Sequence, residues 1–124
     1  MATNIDNLKS QMRKGMLEYC VLLLLRNGDA YASEIIAKMK EAHLIVVEGT
    51  LYPLLTRLKN DGLLAYRWEE SVSGPPRKYY SLTPTGIMAL GQLQESWAEI
   101  NHTINHLNKN NDNQQPENET NISN

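Results

Sequence analysis

Apolar positions along the chain follow the helical period in four stretches and alternate in two short ones. Between Ile5 and Arg26 the first half sets Ile5, Leu8 and Met12 against Lys9, Arg13 and Lys14. The second half, Leu17 to Leu25, is apolar on almost every face, so that helix needs cover on two sides. Asn27-Gly28-Asp29 terminates it. A second helix, Tyr31 to Ala42, turns Ile35, Ile36 and Met39 inward and Glu34, Lys38, Lys40 and Glu41 outward. A third carries the stripe Leu51, Leu54, Leu55 and Leu58. Proline is tolerated in a first turn, where its missing N–H has no intrahelical partner, so Pro53 predicts a start near Gly49-Thr50, with Thr50 as N-cap or first-turn residue. Gly62 is expected at the C′ position that ends this helix. The β-branched run Leu44-Ile45-Val46-Val47 predicts a small strand ahead of it. Leu63 to Glu69 and Arg77 to Thr83, rich in Tyr66, Trp68, Tyr79 and Tyr80, predict a hairpin whose tip spans Glu70 to Pro76.

The last helix starts at Thr83-Pro84, a cap followed by a proline at the first helical position. Leu90, Leu93, Trp97, Ile100, Ile104 and Leu107 follow at spacings of 3, 4, 3, 4 and 3, the pattern of a coiled-coil seam. A small core has no room for all six, so the stripe implies a helix from a second subunit, and with it a homodimer. The organisation expected is 1–83 as one domain, 84–108 as a dimerisation helix, and 109–124 as a polar tail too poor in apolar residues to fold.

The length of 124 residues suits one small domain that gains from burial in a dimer. The single cysteine, Cys20, excludes an internal disulfide framework. The apolar run around it is shorter than the ~20 residues that span a bilayer, and no charged segment with a cleavage site precedes it, so a cytoplasmic location and no membrane partner are expected. A net charge of −2 does not suggest a polyanion partner, but the charge is unevenly placed. Residues 1–83 hold eleven Lys and Arg against nine Asp and Glu, and every later segment is acidic on balance. Affinity for any polyanion would then rest on a few placed contacts rather than on a general positive field.

The run Thr50-Leu51-Tyr52-Pro53-Leu54-Leu55-Thr56-Arg57-Leu58 with Gly62-Leu63-Leu64, followed by Arg77-Lys78-Tyr79-Tyr80-Ser81-Leu82-Thr83-Pro84 and Gly86, resembles the PadR family of transcriptional regulators. The resemblance covers residues 8 to 107. It implies a mainly α fold, a winged helix-turn-helix with a two-stranded β-wing plus a C-terminal dimerisation helix. It further implies a DNA-binding regulator, read here as a repressor, that needs no cofactor and binds an inverted-repeat operator on double-stranded DNA. In that frame Thr50, Tyr52, Thr56 and Arg57 face DNA from the recognition helix, and Lys78 faces it from the wing. Arg57 has Glu48 and Asp61 as alternative partners nearby. Arg77 alternates with Lys78 and points to the other face of its strand. The chain departs from the family where Pro75-Pro76 follows Gly74, which makes the wing tip stiffer and less basic.

Gln94-Glu95-Ser96-Trp97 resembles the small multidrug-binding branch of that family, and the resemblance assigns Met12, Gly15, Tyr19 and Trp97 to a site for a planar hydrophobic molecule between subunits. The bland alternative for Trp97 is seam packing. His102 and His106 share a helix face at i, i+4 but have no evident third ligand, and Cys20 lacks a neighbouring cation or second cysteine, so no metal site or redox switch is expected. Three Asn-x-Ser/Thr triplets, at Asn101, Asn118 and Asn121, matter only on a secreted chain. No phosphate loop, nucleophile-base pair or paired carboxylates suggest an enzyme. The rival reading is a ligand-binding or protein-interaction module on the same fold without specific DNA binding.

Overall fold

The computed structural model describes residues 4–113 as α1 (Asn4–Arg26), β1 (Ala30–Tyr31), α2 (Ala32–Glu41), α3 (Glu48–Asn60), β2 (Leu64–Ser71), β3 (Gly74–Leu82) and α4 (Pro84–Asn113). They form two units divided between Leu90 and Gly91. The first is a winged helix-turn-helix: α2 and α3 make the helix-turn-helix, and β2 and β3 make the wing. Its core draws Val21, Leu22 and Leu25 from α1, Ile35 and Met39 from α2, all four leucines of the α3 stripe, Leu64 and Tyr80 from the sheet, and Leu90. Each fully buried leucine stabilises the fold by about 2 kcal/mol relative to exposure. The second unit is the continuation of α4, which runs to Asn113, past the boundary expected at 108. The remainder of the expected tail, 114–124, lies outside the described residues.

Leu44 to Val47 forms no strand. The Leu44 amide donates to the Met39 carbonyl (2.9 Å) and the His43 amide to that of Lys40 (2.9 Å), the paired bonds of a Schellman end to α2. Val46 is 6 % exposed and plugs the core, while extended Val47 caps α3. Val47 is extended, but among the described residues no strand pairs with this segment. The third strand is instead Ala30–Tyr31, with Ala30 opposite Tyr80 and Tyr31 opposite Tyr79, giving the antiparallel order β1-β3-β2. Two residues carry too little alternation to be read as a strand.

α3 begins at Glu48, so Thr50 is not its cap and Pro53 stands in the second turn. The proline removes only the bond that would reach the carbonyl of Gly49, and Gly49 is exposed to water. The helix ends as expected: Gly62 is in the left-handed region (φ 84°), its amide donates to Lys59 O (3.0 Å), and the Leu63 amide donates to Leu58 O (3.0 Å). The wing turn is also tighter than expected. Only Val72 and Ser73 separate the strands, and both prolines lie within β3. Glu69 pairs with Arg77 and Ser71 with Gly74, which leaves Pro75 and Pro76 opposite Glu70 in a bulge. There the missing proline N–H leaves no ladder bond broken.

At the end of α2 the C′ position belongs to His43 (φ 69°), where an L side chain is strained. His43→Gly should therefore stabilise the protein by about 1 kcal/mol, read as a higher urea midpoint at unchanged slope. A lower midpoint would show that the imidazole makes a contact worth more than the strain.

Candidate nucleic-acid interface

Amphipathic patterning fixes which side of α3 is free. With Leu51, Leu54, Leu55 and Leu58 turned into the core, Thr50, Tyr52, Thr56, Arg57 and Lys59 are left exposed on the outer side. Tyr52 is 48 % exposed, so about half of its side chain is open to solvent. The guanidinium of Arg57 pairs with Glu18 of α1, a carboxylate other than the nearby alternatives Glu48 and Asp61. One turn of α1 thus holds a side chain assigned to the reading face, and the pair is solvated enough to exchange partners.

The two faces of the wing differ in their chemistry. Strand register places Tyr66 opposite Tyr80 and Trp68 opposite Lys78, all four on one face. The Lys78 ammonium lies 4.3 Å from the Tyr66 ring centre, 5.3 Å from that of Trp68 and 5.9 Å from that of Tyr80. Lys59 of α3 reaches the same Tyr66 ring at 5.5 Å. On the opposite face Arg77 covers Tyr31 at 4.5 Å, and Arg67 covers Tyr79 at 5.2 Å while pairing with Asp29 and Glu69. Those two carboxylates hold the Arg67 proton more firmly still, chiefly through the Glu69 hydrogen bond. Burial pushes the Tyr80 phenol up, with a smaller push from Tyr52 and Tyr66, so at neutral pH it is an uncharged wall.

Tyr52 and Lys78 border an open cleft of about 360 Å3 with Trp68, Tyr80 and Arg77 on the wing side and Tyr31 and Ser33 at the start of α2, so both wing-root cations reach one opening although they cover different rings. Thr50 and Arg57 border a separate cleft of about 540 Å3 between α1, the α2–α3 loop and α3, where Arg13 and Lys14 join them over Leu17 and Val46. Thr56 borders neither. Lys59, Tyr66, Trp68, Arg13 and Lys14 were missed by sequence reasoning. The alternation of Tyr66 with Trp68 and of Lys78 with Tyr80 was the available signal, since period 2 puts each pair on one side of its strand.

Of the residues assigned to the dimer seam, Leu90 is 2 % exposed and belongs to the core of the first unit. Leu93 (38 %), Trp97 (39 %), Ile100 (53 %), Ile104 (45 %) and Leu107 (61 %) are exposed, so the exposed part of the stripe starts at Leu93. On α1, Ile5, Leu8 and Met12 are exposed in the same 3-4 rhythm that continues to Gly15 and Tyr19; Gly15 has open space where a Cβ would be, and Tyr19 packs partly on the core. Burial raises the Cys20 thiol pKa, which makes it a poor nucleophile. Among the described residues no three His, Cys, Asp or Glu side chains are placed to share a metal ion, and no helix is long and apolar enough to cross a membrane.

A helix-turn-helix whose second helix exposes its polar side beside a cation-bearing hairpin is the architecture of winged-helix DNA-binding proteins. The profile of the transcriptional regulator PadR-like family matches residues 21–92, and the chain belongs to that family, whose members are DNA-binding transcriptional regulators rather than enzymes. It is similar to a PadR-like transcription factor from Bacteroides fragilis, at 70 % identity over 82 % of this chain and 99 % of that one with a TM-score of 0.72. It is also similar to Bacillus subtilis PadR, solved in complex with operator DNA, at 27 % identity, 64 % and 45 % coverage and a TM-score of 0.59. A transcriptional regulator of Mycobacterium tuberculosis shares 42 % identity over 55 residues, 44 % of this chain and 50 % of that protein.

Proposed function

We propose that the protein is a homodimeric repressor that docks α3 of each subunit into the major groove of an inverted-repeat operator, with half-sites about one helical turn apart. The observation that carries this reading is the cleft shared by Tyr52 and Lys78, which brings a recognition-helix side chain and a wing cation to one opening and supports their docking on the same duplex. The relative solved with operator DNA supports the partner class. Thr50, Tyr52 and Thr56 read or position on the helix side, Arg57 joins them by leaving Glu18, and Lys78 meets phosphate. Repression follows from occupancy of the operator.

Binding titrations across a salt series test the assignment. Lys78→Ala should weaken binding to every sequence by about the same factor and lower the salt slope by about 0.9, one phosphate contact. Tyr52→Ala should instead reduce the preference for operator over random DNA by about tenfold. If both variants bind operator as tightly as wild type, the docking face is wrong, and a protein that shows no DNA titration at any salt concentration is the ligand or protein-interaction module instead.

The half-exposed indole of Trp97 favours release by a planar hydrophobic compound stacked between the two indoles of a dimer. With Trp68 replaced by Tyr so that Trp97 reports alone, a planar dye should quench its fluorescence saturably. Operator DNA should weaken the dye by the factor by which the dye weakens DNA, because coupling is reciprocal. Absence of quenching by a panel of planar dyes makes Trp97 seam packing.

A further inference from the structure

We propose that Trp68 is a positioning residue for DNA binding: with Tyr66 and Tyr80 it forms an aromatic cradle that holds the Lys78 ammonium aimed at the DNA backbone while leaving its charge unneutralised. The inference rests on the reading of the wing as a DNA contact and adds how that contact is prepared.

Trp68 is 62 % exposed, so apolar burial does not account for a tryptophan there. Its ring faces Lys78, its directly opposed partner in the strand register, at 5.3 Å, within the ~6 Å over which a ring attracts a cation. Tyr66 braces the cradle edge-on from both sides, with ring centres 6.5 Å from Trp68 and 6.0 Å from Tyr80. Tyr80, 4 % exposed, anchors it to the core.

The choice of partner matters chemically. A carboxylate would hold the ammonium as well, but it would cancel the charge that a phosphate needs. The ring quadrupole attracts the cation without contributing a counter-charge. Among the described residues Lys78 forms no ion pair, in contrast to Arg67 on the other face, which two carboxylates hold. A free lysine loses rotamer freedom when it clamps a phosphate, and a cradled one has lost much of it before DNA arrives. The cradle opens toward the cleft that also holds Tyr52, so the held cation lies beside the recognition helix.

The test is a double-mutant cycle on operator affinity with wild type, Trp68→Leu, Lys78→Ala and the double variant, using full-length protein whose thermal midpoint is checked. Trp68→Leu should weaken binding about fivefold when Lys78 is present and not at all when it is absent. Its salt slope should match wild type, because the phosphate contact still forms and only its preparation is lost. Trp68→Tyr should restore most of the affinity. In the free protein the Lys78 Hε resonances should lie upfield from ring currents and move downfield in Trp68→Leu. An equal loss in both Lys78 backgrounds would show that Trp68 touches DNA itself and overturn the inference with the wing contact intact, as would unshifted Hε resonances. Wild-type affinity of Lys78→Ala would overturn the wing contact itself and this inference with it.

Discussion

Gly86→Ala is expected to destabilise the protein by about 3 kcal/mol, against the usual direction for this change inside a helix, where alanine gains about 1 kcal/mol over glycine. The reason is the corner where α3 turns into β2. Thr83 caps α4 by accepting the Gly86 amide (2.9 Å), and the same hydroxyl donates to the Gly62 carbonyl (2.6 Å), while the Thr83 amide donates to Leu63 O (3.1 Å). These bonds draw the first turn of α4 onto the Gly62-Leu63 backbone. A Cβ on Gly86 would overlap the Leu63 carbonyl oxygen and crowd its carbon (3.1 Å) and Leu82 Cδ2 (3.3 Å). The backbone on both sides is hydrogen-bonded and has little room to yield. Gly91, on the same helix with nothing within 4 Å, supplies the control: Gly91→Ala should stabilise the protein by up to about 1 kcal/mol, read as a higher midpoint. Urea denaturation of both variants reads the two signs, and a Gly86→Ala protein as stable as wild type would mean that the corner is held less tightly than its bonds suggest.

The elements legible in the sequence were those fixed by local chemistry. Leucine spacing located α3, Gly62 marked its end through the left-handed conformation that glycine adopts freely, and Thr83-Pro84 marked the start of α4. What escaped was set by partners distant in the chain. Ala30–Tyr31 is a strand only because β3 lies beside it, and Leu44–Val47 is not one because Leu44 turns back to Met39 and Val46 drops into the core. Pro53 was placed one turn too early because exposure of Gly49 lets the helix tolerate a missing bond. Pro75 and Pro76 suggested a broad tip because a bulge, which absorbs them, has no signature apart from its register. In the candidate interface, the outward position of Tyr52 and the opposed faces of Arg77 and Lys78 followed from helical and strand periods. The Arg57–Glu18 pair and the cradle around Lys78 did not, since they join α3 to α1 and β2 to β3. Leu90 continued the seam pattern, yet it lies where α4 still packs on the first unit, and sequence spacing alone does not show where a stripe passes from one burial to another.

Ile100→Asp combined with Ile104→Asp is expected to convert a dimer into folded monomers, raising the dissociation constant by at least about a thousandfold. Five apolar side chains from Leu93 to Leu107 lie exposed along one side of α4, an arrangement that water disfavours and a matching helix would cover. Ile100 (53 % exposed) and Ile104 (45 %) stand at its middle, one turn apart. A carboxylate buried without a partner costs several kcal/mol even if it binds a proton, and twofold symmetry places four of them in the seam. A thousandfold change corresponds to only about 4 kcal/mol. Both positions lie beyond Leu90, outside the unit that holds the core, so the helix-turn-helix should keep its thermal transition. His102→Asp, on the far side of α4 by the helical period, adds a carboxylate to the same helix away from the seam and should leave the dimer intact. Operator affinity should fall with dimer dissociation, because two half-sites are then bound by two independent molecules. Light scattering at micromolar concentration decides the matter: a monomeric wild type, or a dimeric double variant, would leave the α4 stripe without the partner assigned to it.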